Sequence, residues 1–176
     1  FDLPIIEGTE ELSSAYTNGF FSGDGSYFRG KGFVYLYHDK QKLLSKLQNV
    51  SNVRTYEKQN RQYVYFEEGT LKEKFFVPLD NYTIESRLQW LAGICDSDGS
   101  VSRTGDSESL HISSTQLTFL KEIQLMLQTL GVTSTISDAS EEGWNDFPLS
   151  DGSGEKGKYY CQKVYKLLIS SNRLFK

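Results

Sequence analysis

Asn18-Gly19-Phe20-Phe21-Ser22-Gly23-Asp24-Gly25-Ser26 and Ala92-Gly93-Ile94-Cys95-Asp96-Ser97-Asp98-Gly99-Ser100 share one pattern, x-Gly-apolar-x-x-x-Asp-Gly-Ser, 74 positions apart. A repeat of that period predicts two related halves in tandem, residues 1–80 and 81–176, forming one pseudo-dimeric unit. Around the first copy, Thr9 reads as the cap of a helix that passes through Tyr16 and Phe20 and runs out at Gly23 to Gly25. Residues 27–29 and 33–38, rich in aromatic and β-branched side chains, read as a hairpin turning at Gly30-Lys31-Gly32. Asp39 then caps a short helix with Leu43, Leu44 and Leu47 on one face, and residues 52–57 pair with 62–67 around Lys58-Gln59-Asn60. Around the second copy, Thr83 caps a helix carrying Ile84, Leu88, Leu91 and Cys95, and residues 101–103 pair with 110–113. A helix from Ser114 or Thr115 aligns Leu117, Leu120, Ile123, Leu127 and Leu130 and stops at Gly131. Residues 132–137 and 159–170 read as the last strands, separated by a long acidic loop. The class is α+β, two tandem αββαββ units with antiparallel sheets.

Composition bounds the function. The 176 residues are 38% hydrophobic and 24% charged with only 3 Pro, the balance of a folded chain. No apolar run nears the roughly 18 residues that span a bilayer, and residues 1–10 lack a signal-peptide core, so a soluble, intracellular protein is expected, neither membrane-bound nor secreted. Cys95 and Cys161 are too few for a disulfide framework or a four-cysteine zinc site. A net charge of −4 and a pI near 5.3 count against nucleic acid as a partner. The acid is concentrated, however: Asp138, Glu141, Glu142, Asp146, Asp151 and Glu155 precede Lys156 with no intervening cation, which leaves room for a basic face elsewhere.

The motif itself makes physical demands. A helical Gly costs about 1 kcal/mol relative to Ala, so Gly19 and Gly93, the latter beside the small Ala92, imply a close approach of backbone, either helix against helix at the centre of a pseudo-dimer or helix against the adjoining sheet. Asp24 and Asp98 fall at helix C-termini, the end that disfavours negative charge, and pairing the helices brings the two together. Both stay ionised only beside compensating cations, and a divalent metal held by oxygen ligands and substrate phosphate would suit hydrolysis of a phosphodiester. Turn chemistry is the other account of each Asp-Gly.

Leu91-Ala92-Gly93-Ile94-Cys95-Asp96-Ser97-Asp98-Gly99 resembles the nonapeptide of the LAGLIDADG homing endonucleases, and Thr17 to Gly25 resembles its more divergent copy, with Thr17-Asn18 for the small-residue opening and Ser22 where an acid is common. Lys74-Phe75-Phe76-Val77-Pro78 is similar to the intein segment with a Lys shortly before Val/Ile-Pro, and residues 113–132 to the amphipathic helix ending in Leu-Gly-Val. The resemblance implies a monomeric, site-specific double-strand DNA endonuclease, the homing domain of an intein, with two motif helices packed beneath a saddle of two sheets lying along duplex DNA. It implies Mg²⁺ on Asp24 and Asp98, with Lys74 stabilising anionic charge. Lys163 is the counterpart taken for the second half, ahead of Lys158. The strand cations Arg29, Lys31, Arg54, Lys58, Arg61, Arg103 and Lys163 would be the DNA readers, and Tyr35, Tyr37, Tyr63 and Tyr65 are read as sheet packing. An intein's nucleophilic first residue and His-Asn ending are both absent, so the segment should not splice without the splicing domain of its parent chain. The alternative is a LAGLIDADG-type module that binds DNA or RNA without cutting, as maturases do.

Overall fold

Two motif helices, α1 (Ala15–Asp24) and α2 (Ile84–Asp98), form the centre of the computed structural model, which describes residues 3–105, 107–148 and 155–170. They pack backbone against backbone. A Cβ on Gly19 would land on the Trp90 carbonyl, and one on Gly93 on the Tyr16 carbonyl and the Phe20 amide. Tyr16 and Trp90 are themselves 74 positions apart, so the contact is reciprocal, as at a two-fold interface. Ala92 takes no part and is exposed, because neighbouring residues on a helix point about 100° apart and Gly93 has the partner side. The same contact turns Leu88 out to solvent at 48% exposure, while Ser86, Arg87, Trp90, Gly93, Ile94 and Ser97 form the buried face.

Each helix feeds directly into a four-stranded antiparallel sheet. The first comprises β1 (Ser26–Phe28), β2 (Lys31–Tyr37), β3 (Val50–Tyr56) and β4 (Arg61–Phe66) in the order β1-β2-β4-β3. The second comprises β5 (Gly99–Thr104), β6 (Ser107–Ser114), β7 (Thr135–Ser140) and, after a separate ribbon of β8 (Gly143–Pro148) and β9 (Lys156–Cys161), β10 (Val164–Ser170), in the order β5-β6-β10-β7. Between β6 and β7, α3 (Leu117–Thr129) lays Phe119, Leu120, Ile123, Met126 and Leu127 onto Ile112, Leu167 and Ile169, and Gly131 at φ 77° ends it. The first sheet has its own core, in which Phe20 and Phe21 of α1 cover Val34, Leu36, Val64 and Phe66.

The structure departs from the sequence reading at several elements. Thr9 caps no helix: the amides of Thr9 and Glu10 donate to the Asn81 carbonyl and Leu12 N–H to Ser86 Oγ, so residues 9–14 are held as a strap and α1 starts only after Ser14, at φ 50°. The first hairpin turns at Arg29-Gly30, both in the left-handed region (φ 51° and 77°), the pairing that suits a two-residue turn, and Lys31 begins β2. Residues 38–46 form a 3-10 segment; Asp39 bonds Lys42 at 2.8 Å without capping it, and Leu43, Leu44 and Leu47 still face the first core. Much of the expected acidic loop 138–155 is strand, in β7 and β8, and the expected strand 159–170 is broken at Gln162-Lys163.

Candidate active site

Asp24 and Asp98 are the last residues of α1 and α2, and the reciprocal packing of those helices brings their ends together. A Cβ on Gly23 would sit 2.8 Å from Asp98 Oδ2, so the two final turns touch. Burial first, and then the neighbouring charge of Asp24, push the Asp98 carboxyl up to about 6, against the pull of Lys74 and Lys40. Two lysines close the site. Lys40 Nζ donates to Asp24 Oδ2 at 2.7 Å and to the Ser97 carbonyl at 2.6 Å, bridging the two halves. Lys74 Nζ donates to the carbonyls of Gly23 and Phe21, at the electronegative end of α1. Burial lowers the Lys74 pKa, while Asp98 and Asp24 draw it back upward.

Lys40 was not visible in the sequence. The 74-residue offset places Ser114 opposite it, and only the fold of the 3-10 segment carries its ammonium across to α2. Lys163 instead pairs with Asp138 at 2.7 Å and Glu141 at 3.2 Å, which raise its pKa to about 12, and it makes no bond to either motif aspartate. Lys158 lies opposite Asp146 in the β8–β9 ribbon. Asp96 is a structural tie: it accepts from Tyr16 Oη at 2.7 Å and Lys46 Nζ at 2.9 Å, and although burial alone would raise its pKa, these two partners hold it below the usual carboxylate range.

The donor set suits a hard divalent cation. Asp24 and Asp98 offer carboxylate oxygens, with the carbonyls of Gly23 and Ser97 close by, and two apposed carboxylates of which one is held partly protonated favour an added positive charge. Among the described residues no group of three or more His, Cys, Asp or Glu could hold a metal, so such an ion would take its remaining ligands from water and substrate.

Strand register assigns the candidate DNA readers to faces. Paired residues Phe28 and Lys31, Phe33 and Tyr65, Tyr35 and Tyr63, Tyr37 and Arg61, and Arg54 and Tyr63 share the face of the first sheet opposite its core. There Arg61 lies over the rings of Tyr35, Tyr56 and Tyr63, and Arg54 over Tyr65. The tyrosines are therefore sheet packing on an accessible face, interleaved with cations. Arg29 occupies the adjoining turn over Phe28, and Lys58 the exposed tip of the β3–β4 hairpin. Arg103 does not join such a face: it pairs with Glu108 at 2.6 Å on the core-side parity of its sheet, beyond the edge of the core.

A helix pair with apposed terminal aspartates beneath two antiparallel sheets defines a class, and the chain belongs to it: residues 85–176 match the model of the LAGLIDADG-like domain family. A ribonucleoside-diphosphate reductase large subunit from Invertebrate iridescent virus 6 is 40% identical over 178 residues, which take in 99% of this chain and 18% of that protein. The chain thus spans about a fifth of the length of the curated relative it matches. Among solved structures, full-length WhiA from Thermatoga maritima aligns with TM-score 0.54 and 16% identity over 93% of this chain and 52% of that one. The N-terminal LAGLIDADG domain of WhiA aligns with TM-score 0.52 and 16% identity over 97% and 81%. The complex of I-DmoI with DNA and Mn aligns with TM-score 0.49 and 16% identity over 91% and 90%. At these identities the likeness to the two WhiA structures is one of fold.

Proposed function

We propose that this chain is a site-specific, metal-dependent DNA endonuclease, the homing domain of an intein lodged in a reductase-type host chain, and that its target is the uninterrupted host gene. The observation that carries the reading is the apposition of Asp24 and Asp98 at paired helix ends with Lys40 and Lys74 beside them. A match over 99% of the chain but 18% of a longer relative supports a module inserted in a larger polypeptide. Asp24 and Asp98 would hold Mg²⁺, which supplies activation of water and stabilisation of the leaving oxygen. Lys40 and Lys74 balance the two carboxylates in the free protein and face the added negative charge of a scissile phosphate in the complex. Residues 1–80 and 81–176 would act as one unit inside the cell, one aspartate serving each strand.

A second reading is a module that binds nucleic acid without cutting. It is favoured by how fully the site satisfies itself, since Lys40 already neutralises Asp24 and Asp98 is half-protonated near pH 6. The two are separated by incubating the protein and Mg²⁺ with supercoiled plasmids carrying an uninterrupted reductase large-subunit gene or a randomised duplex insert. Linear product from the parent and none from Asp98→Asn supports the endonuclease. Retention of a selected insert with no linear product gives the binding module.

A further inference from the structure

The two sheets present faces of different chemistry to whatever lies across them. On the first, Lys31, Arg54 and Arg61, with Arg29 at the turn, stand among Phe28, Phe33, Tyr35, Tyr37, Tyr63 and Tyr65, and the strand positions of that face hold no acid. None of these four cations has an ion-pair partner among the described residues. Three of them, Arg29, Lys31 and Arg54, line one groove with Phe28, Asn52 and Tyr65. The corresponding face of the second sheet carries Ser100, Ser102, Ser109, Ser113, Thr135 and Ser137 around His111, Lys166 and Leu168. Of the other cations in that half, Arg103 pairs with Glu108 and Lys163 with Asp138 and Glu141, while Lys121 stands on α3 and Lys156 and Lys158 on the separate β8–β9 ribbon, away from this face.

Unpaired guanidinium and ammonium groups neutralise phosphates and reach base edges, Arg in bidentate fashion to guanine. Short hydroxyls carry no charge and reach a base only at close contact or through an ordered water. We propose that the protein grips its duplex unequally: the first sheet, through Arg29, Lys31, Arg54 and Arg61, is the anchor that supplies most of the affinity and sequence readout, and the second sheet reads its half-site weakly. This rests on the function proposed above and names which half of the target it recognises. The consequence is a recognition site with one strict half and one permissive half, so that homing tolerates drift on a single side of the cut.

Two measurements test it. The full chain is equilibrated with a randomised duplex library in Ca²⁺, and bound sequences are read; the expected result is base preference concentrated in one half-site. Binding of a mixed-sequence duplex is then measured across a salt series. The pair Lys31→Gln with Arg54→Gln should lower the slope of log affinity against log salt by about 2, about 1 for each charge removed, and Lys166→Gln should leave it nearly unchanged. Preference spread evenly over both half-sites, or the same loss per charge removed from the two sheets, overturns the unequal grip while leaving duplex binding intact. Tighter binding of single strands than of duplex overturns it as well, because the aromatic face would then be a stacking platform. Failure of the parent to bind any duplex at low salt is a different result, and removes the functional reading itself.

Discussion

At Asp98 the catalytic role proposed above is set against stability. Its carboxyl titrates near 6 because the folded protein buries it beside Asp24, whereas an unfolded Asp titrates near 4. The native state therefore binds more protons between those values, and this group costs the fold an increasing amount as pH rises from about 4 to 6, the full cost being present above 6. Asp98→Asn should abolish cleavage yet melt higher than the parent at pH 8, by about 1–3 kcal/mol, with the difference closing toward pH 4. An equal or lower melting temperature at pH 8 would contradict a buried like-charge pair. Lys40 acts in the opposite sense, since its ammonium lowers the Asp98 value. Lys40→Gln should move the Asp98 midpoint above 6 in a carboxyl NMR titration and reduce cleavage by about 10²-fold; an unmoved midpoint would separate Lys40 from the site. Asp24, Asp98 and Lys74 were legible because each lies in or beside a motif. Lys40 was not, since its place depends on a chain crossing that no spacing encodes, and nor was the pairing of Lys163, whose acidic partners lie 22 and 25 residues away.

At the scale of elements, the reciprocal Gly19 and Gly93 contacts set the distance between α1 and α2, and through it the separation of the two aspartates. A Cβ at either glycine meets backbone of the opposing helix, which has no flexible end to swing aside. Gly93→Ala should therefore destabilise the fold by about 3 kcal/mol or more, read as a loss in melting temperature. The neighbouring Ala92→Ser, on the exposed side, should change it little. If Gly93→Ala melts with the parent, the helices are not in backbone contact. The hairpins were legible from their aromatic and β-branched strands, and α3 from its apolar spacing. The strap 9–14 was not, because its amides are satisfied by Asn81 and Ser86, more than 70 residues on, while its local sequence carries a valid helix-start signal. The β8–β9 ribbon was hidden by acidic, Gly- and Ser-rich composition that reads as loop; its paired aromatics, Trp144 with Tyr160 and Phe147 with Tyr159, are the signal that could have found it.

The whole molecule is more interlocked than a boundary at residue 80 suggests. The net charge of −4 over the chain conceals a carboxylate-free cationic face on one sheet and an acid-rich region around β7 and β8. Residues from the first half complete the second core, where Leu12, Ala15 and Val77 pack with Trp90, Ile94 and α3. Arg87, fully buried on α2, donates to the Ile6 carbonyl and to Thr129, and Ile6 N–H donates to the Thr129 carbonyl at 2.9 Å. Removing residues 1–80 would leave the Arg87 guanidinium without one acceptor and open the second core where Leu12 and Val77 now sit. A lost acceptor for a buried guanidinium costs about 1–3 kcal/mol and each lost apolar side chain several more, together comparable to the roughly 5–15 kcal/mol that holds a domain together. The full chain should accordingly unfold in one transition, with fluorescence of Trp90 and Trp144 and far-UV circular dichroism coinciding. Residues 81–176 expressed alone should give no cooperative transition, and adding residues 1–80 in trans should restore one. A fragment 81–176 that melts cooperatively without its partner would mean that the strap and the helix pair decorate a self-sufficient half, and that the two aspartates are brought together by docking of finished domains instead of by folding.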